Sequence, residues 1–166
     1  MRGVDPARLV FPDEAAAHTA MSRTHAWVPR GEELVDPKPA CHWHQLTMTG
    51  AIALDGWRVF TTSWKTMNKA RFTEWVRTRL CPRLRPGDIV VLDNLRAHHS
   101  KEVAQYVRAV GARLKFLPPY SPDFNPIESC WALLKKELRR RALRAKDALR
   151  AAARAARFEV RHQHVA

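Results

Sequence analysis

Acidic residues are the scarce charged class in this chain: 16 aspartates and glutamates stand against 29 lysines and arginines in 166 residues, a net charge of +13. That imbalance points to a polyanionic partner and says nothing about fold. Cysteine is scarce too. Cys41, Cys81 and Cys130 form no CxxC pair, and His42 with His44 falls on an expected strand, so cysteines and histidines together do not make a structural zinc site. The three cysteines give no disulfide framework and suit a reducing cytosol. No apolar run is long enough for a membrane span, nothing reads as a secretory signal, and no repeat or low-complexity block stands out beyond the alanine-arginine tail. The length suits one domain.

Two acids sit where a regular element meets a loop. The run Ile89, Val90, Val91, Leu92 follows a Pro86-Gly87-Asp88 turn and is rich in β-branched residues, the pattern of a fully buried parallel strand. Asp93 then emerges at its carboxyl end, where open α/β sheets form their sites. Residues 102–110 predict a helix with Val103, Tyr106, Val107 and Val110 on one face, closed by Gly111. Residues 113–117 predict the next strand, and strand, helix, strand implies a right-handed crossover with the two strands parallel. The stiff loop PPYSPDFNP leads into a helix with Asn125 as N-cap, Pro126 at the first helical position and Glu128 at the third. Between Asp93 and Glu128 lie 34 residues.

Each acid also has a purely structural reading. Asn125 with Glu128 three residues later resembles a capping box, and a glutamate near a helix N-terminus stabilises it by about 0.3 to 1 kcal/mol without any chemistry. An aspartate ending a strand often just accepts backbone hydrogen bonds in a turn.

VVLDNLRAHHS followed by LKFLPPYSPDFNPIE closely resembles the catalytic core of DDE transposases of the mariner-like superfamily, in its bacterial insertion-sequence branch. The strand end Asp93-Asn94 with His98 five residues after the aspartate, the PYSPDxNPIE loop and the 34-residue spacing carry the resemblance, which runs from about Pro6 to about Leu149. It implies an RNase H-like α/β fold: a mixed sheet, antiparallel in its first strands and then parallel, flanked by helices. It also calls for a third acid on the first strand. Residues 7–14, ARLVFPDE, match that strand and place Asp13 at the acid, with Glu14 as its neighbour. Strand period two lets only one of these face the site. Pro12 stands where the family has an apolar residue, and proline is disfavoured inside a central strand, so the strand is expected to end early or bulge there.

Three carboxylates suit two Mg²⁺ or Mn²⁺ ions, hard cations that take oxygen ligands. Such a pair can activate the attacking oxygen and stabilise the leaving one in an in-line displacement. By resemblance, Asp13 bridges the ions while Asp93 and Glu128 each hold one. Water would release a 3′-hydroxyl at the element's end, and that hydroxyl would attack target DNA at a TA step. His98 is either a neighbour of the site facing phosphate or a surface residue.

The remaining segments fit the same domain. Residues 21–31 resemble the family's short second strand, with Trp27 as a core aromatic. Residues 42–54 read as a third strand, Asp55-Gly56 as a hairpin turn and residues 57–62 as the return. Residues 68–80 read as a helix carrying Phe72, Val76 and Leu80, and Trp57, Trp64 and Trp75 read as packing residues. From Lys135 to Arg161 eleven lysines and arginines face three acids. Lys135 and Arg139 follow Glu128 on its helical face, with Arg140 beside them. Lys146, Arg150, Arg154, Arg157 and Arg161 share a further face. Its apolar side is mostly alanine, which favours DNA phosphate over membrane as the partner of these bases.

Residues 1–144 are expected to form the catalytic domain and residues 145–166 a basic C-terminal helix and tail. The helix-turn-helix region that reads terminal repeats in this family is expected to be absent here and supplied, if at all, by a separate polypeptide. The resemblance implies a homodimer on double-stranded DNA and a bacterial cytoplasmic, nucleoid-associated setting. Two other functions stay open: a nuclease of the same fold that only hydrolyses, and a non-catalytic DNA-binding remnant.

Overall fold

The computed structural model describes residues 4–25, 27–33, 35, 39, 43–94, 100–119 and 121–157. Five strands form one sheet: β1 (Leu9–His18), β2 (Gln45–Ala53), β3 (Gly56–Ser63), β4 (Ile89–Leu92) and β5 (Arg113–Phe116), in the spatial order β3-β2-β1-β4-β5. The first three are antiparallel, while β4 and β5 run parallel to β1 and to each other. Four α-helices accompany them: α1 (Lys69–Trp75), α2 (Lys101–Ala109), α3 (Ile127–Arg141) and α4 (Lys146–Ala156).

Side-chain alternation along the strands divides the core into two layers. On one face Val10, Ala51, Val90 and Leu92 pack against Phe72 and Trp75 of α1 and Val103 and Val107 of α2. On the other, Ala15, Ala17, Met48 and Phe60 meet Ile127, Trp131, Leu134 and Leu138 of α3 and Leu149, Ala152, Ala153 and Ala156 of α4. All four residues of β4 are buried, which is why that strand reads as an unbroken apolar run. The alanine side of α4 is therefore a packing face, continuous with the core beneath α3. Cys81 and Cys130 are buried free thiols, and burial pushes Cys130 up to about 11. No helix of the described residues is long and apolar enough to cross a membrane.

Several local expectations are corrected. Residues 19 and 20 turn out of β1, and no strand forms among the described residues of 21–31. Trp27 is fully exposed, at 102% of its reference area. Strand β2 begins at Gln45, so His44 precedes it, and His42 lies outside the described residues. The loop is closed at its base by His44, whose backbone N–H donates to Thr19 Oγ1 at 3.0 Å. The helix capped by the Asn68 side chain keeps α geometry only to Trp75 and winds on as a π turn over Val76–Leu80.

Pro12 neither ends nor bulges β1. The register with β2 is continuous from Val10 opposite Ala53 to His18 opposite Gln45, with Pro12 opposite Ala51. Lacking an N–H, proline fits an unshifted antiparallel ladder only where the rungs fall on its neighbours Phe11 and Asp13, so its nitrogen faces away from β2. On that side the pairing with β4 covers only Leu9 and Val10. The rung that proline could not supply is not used.

Candidate active site

Strands β1 and β4 part company after Val10 and Val90, and each then presents an aspartate. The offset that pairs Leu9 with Ile89 brings Asp13 level with Asp93, so the two acids flank the opening between diverging parallel strands. This is the crevice at strand carboxyl ends where α/β sheets build sites.

Asp13 is 6% exposed, on the β1 face that carries Ala15 and Ala17 toward α3. Its Oδ1 accepts the backbone N–H of Glu14 at 2.7 Å, and its Oδ2 accepts the indole N–H of Trp131 at 3.1 Å. Burial pushes its carboxyl up to about 7; the Glu14 N–H opposes that rise, and the nearby charges of Glu128, Glu14 and Asp93 add to it. Glu128 and Asp93 thus lie within electrostatic reach of Asp13, and the site concentrates negative charge.

Glu128 is exposed in the first turn of α3. Trp131, three residues on and therefore on an adjoining part of the helix surface, ties that turn to Asp13. Its ring is 1% exposed and lies 5.3 Å from Trp57 and 6.1 Å from Phe60, centroid to centroid. The tryptophan aromatic thus seats the helix, and its N–H reaches the acid. In the sequence, the helical spacing of Ile127, Trp131, Leu134 and Leu138 marks Trp131 only as a packing residue; the signal for its second role is that a buried indole N–H needs an acceptor.

The capping-box reading does not hold. Asn125 is 6% exposed and its Oδ1 has no hydrogen-bond partner. The N–H of Glu128 goes to the Asn125 backbone carbonyl at 3.1 Å, not to the side chain. Pro126 already has helical dihedrals, φ −63° and ψ −20°, and occupies the cap position, so Glu128 is the second residue of α3 and not the third. Proline's fixed φ starts the helix without a side-chain cap.

Glu14 is half-buried and points to the opposite sheet face by strand alternation. Asn94 is exposed beside Asp93, and His98 lies outside the described residues. Among the described residues, no group of three or more His, Cys, Asp or Glu side chains is drawn together closely enough to hold a metal ion. The donor chemistry nonetheless fits Mg²⁺ or Mn²⁺: three carboxylates and no thiolate or imidazole among them. Burial first, and the neighbouring acids after it, raise the carboxyl of Asp13, and a cation bound there would favour its charged form.

The basic residues divide by neighbourhood. Lys135 and Arg139 are half-buried on α3, and Arg140 is bound to Glu137 through two hydrogen bonds of 2.7 Å. Lys146 Nζ and Arg150 Cζ lie 5.0 and 5.2 Å from the Trp64 ring centroid, and Arg157 Cζ lies 5.8 Å from that of Phe60. These three cations of the α4 stripe are therefore seated on aromatics of the β3 region. Arg154 is exposed, and Arg161 lies outside the described residues.

Residues 8–150 match the family described as DDE superfamily endonuclease. The chain belongs to that family. Its fold is also found in solved structures of the Mos1 transposase. The paired-end complex with left transposon end has a TM-score of 0.76 at 16% identity, covering 99% of this chain and 52% of that one. The Mos1 strand transfer complex gives 0.62 at 21%, covering 76% and 40%. The Mos1 mariner paired-end complex with Mn gives 0.72 at 16%, covering 99% and 52%. The fold is thus RNase H-like, and the chain spans about half the length of these solved chains. Among curated proteins none matches the sequence.

Proposed function

We propose that this chain is the catalytic domain of a DDE transposase of the bacterial insertion-sequence branch. It would cut DNA at element ends and transfer the freed 3′-hydroxyl into target DNA at a TA step. The observation that carries this is the placing of Asp13 and Asp93 level with each other at diverging strand ends, with Glu128 in electrostatic reach on α3. The Mos1 structures support it, since they are named for a transposon end, a strand transfer complex and Mn.

In this reading Asp13, Asp93 and Glu128 would hold the divalent cations, two of them by the family likeness. Bound Mg²⁺ or Mn²⁺ supplies Lewis-acid activation of the attacking oxygen and charge stabilisation of the leaving one. The chain's own residues do the rest. The N–H groups of Glu14 and Trp131 fix one lone pair on each Asp13 oxygen, leaving the others for the site. Asn94, Asn125 and His98 stand beside the acids in sequence and are assigned neighbouring roles. Lys135, Arg139, Arg140, Lys146 and Arg150 are assigned to DNA backbone. A homodimer, and a separate helix-turn-helix polypeptide that reads terminal repeats, complete the proposed assembly.

The test is cleavage and strand joining of DNA carrying the flanking terminal repeats, with Mn²⁺ or Mg²⁺, alongside Asp93→Asn and Glu128→Gln. Loss of both reactions in both variants is expected. Cleavage without joining would point to a hydrolytic nuclease, and salt-sensitive binding with no chemistry to a DNA-binding remnant. Equal cleavage in parent and variants would sink the proposal.

A further inference from the structure

A second charged feature lies away from the acids, where the loop leaving β1 crosses the C-terminal half of α3. A groove of about 350 Å³, open to solvent, is lined there by Arg23, Thr24, His25, Lys136, Arg139 and Arg140. Five of the six are basic and none is acidic. Glu137, the acid nearest in sequence, is taken up by Arg140 and Arg141 at 2.7 and 2.6 Å, so Arg23, Lys136 and Arg139 have no acidic partner among the described residues.

The loop is held in place. Past the αL residue Ala142, the Arg144 guanidinium donates to the carbonyls of Thr19 and Met21 at 3.0 and 2.7 Å and to Ser22 Oγ at 3.2 Å. One arginine thus spends its donors on backbone and hydroxyl, and in doing so brings Arg23 and His25 against α3. Arg23 from the loop and Lys136 and Arg139 from α3, facing one open channel with no acidic partner of their own among the described residues, make a cradle for an extended anion that passes through. A small enclosed anion would need a closed pocket.

We infer that this groove is a second contact for the DNA sugar-phosphate backbone, formed jointly by the β1–β2 loop and α3. The inference rests on the transposase reading and adds to it Arg23, His25 and Lys136, which join Arg139 and Arg140 in one groove. Arg139 belongs both to the groove and to the helix stripe of Glu128. Eleven residues at 1.5 Å each put it about 16 Å along the axis from Glu128, which is about five base pairs of duplex at 3.4 Å per pair. Duplex lying along α3 would meet the groove about half a helical turn from the bond being cut.

The experiment uses the whole chain, chelator in place of metal, and a labelled duplex of arbitrary sequence, with affinity measured as salt is raised. Arg23→Ala/Lys136→Ala is compared with Arg77→Ala/Arg79→Ala, which removes the same net charge from exposed positions in the π turn that follows α1. Each lost phosphate contact lowers the log-log salt slope by about 0.9, so the groove variant should lose about 2 and the control nothing. A groove variant that keeps the parent slope, or a control that loses as much, overturns the inference. Loss of binding to polyglutamate with the DNA slope intact overturns it too and makes the occupant an acidic peptide. A parent chain with no salt-dependent DNA binding overturns the transposase reading along with the groove. A parent with a steep slope that the groove variant shares overturns the groove alone.

Discussion

The indole N–H of Trp131 donates to Oδ2 of Asp13 at 3.1 Å across 118 positions of sequence. It joins the first strand of the sheet to the helix that carries Glu128, so one bond fixes two of the three acids relative to each other. Losing that donor should disturb both the fold and the site. Trp131→Phe leaves a buried carboxylate short of a partner, at a cost of about 1 to 3 kcal/mol before any loss of packing. With one fewer donor, the Asp13 carboxyl should rise above about 7, and the pH profile of Mn²⁺-dependent cleavage should move to the alkaline side. A profile unchanged in position would show that the bond has no bearing on the chemistry.

Asp13 should make the metal-free protein less stable as pH rises. Its carboxyl goes from 3.8 unfolded to about 7 folded, so the folded state holds the proton more tightly. The favourable contribution is complete below about pH 4 and is lost as pH climbs through about 7, a swing of roughly 4 kcal/mol. Asp13→Asn removes the titrating charge while keeping an oxygen for one N–H. Chelated protein melted between pH 5 and pH 8 should lose stability in the parent and much less in this variant, which should also be inactive. Parallel pH dependence in the two would refute the assignment.

Gly50 sits opposite Asp13 on β2, and a Cβ there would run into the ring of Trp57 and come within 3.2 Å of the Val59 carbonyl oxygen. Gly50→Ala should cost about 1 to 3 kcal/mol through overpacking. Trp57→Phe removes the colliding ring atoms, so the double variant should be more stable than the sum of the single effects. Denaturant titration of all four proteins measures that coupling, and strict additivity would count against the clash.

Ala142 ends α3 with φ 47° and ψ 45°, and it is the one non-glycine residue with positive φ among those described. The left-handed conformation costs an L-residue about 1 to 2 kcal/mol and glycine almost nothing. Ala142→Gly should therefore raise stability by about 1 kcal/mol, less what glycine loses by greater freedom when unfolded. A lower midpoint in urea would contradict it.

Much of this was legible because it follows from local chemistry. The apolar run before Asp93 is buried on both sides and could only be an inner strand; Gly56, with φ 105°, opens β3 at the hairpin turn, and Gly111, with φ 77°, follows α2, both where turn chemistry placed them. What failed was tertiary or borrowed. The expected strand near Trp27 came from family likeness, and no periodicity of its own supported it. Pro12 looked like a breaker because sequence does not say on which side of a strand a neighbour has already left. Asn125 has the chemistry of a cap, yet the proline after it had already set the helix, and its side chain was buried instead. The groove was invisible since Arg23 and Lys136 are 113 positions apart and meet where Arg144 holds the stretch from Thr19 to Ser22.

The Asp13 to Trp131 bond also has a consequence in time. Strand β1 lies in the middle of the sheet, yet its acid lacks its second donor until α3, with Trp131 118 positions later, has been synthesised and docked. A nascent chain, or one cut short before Ile127, holds two of the three acids and lacks the indole that fixes the first. Any truncation ahead of α3 therefore leaves the Asp13 carboxyl without the indole donor that seats it against the helix.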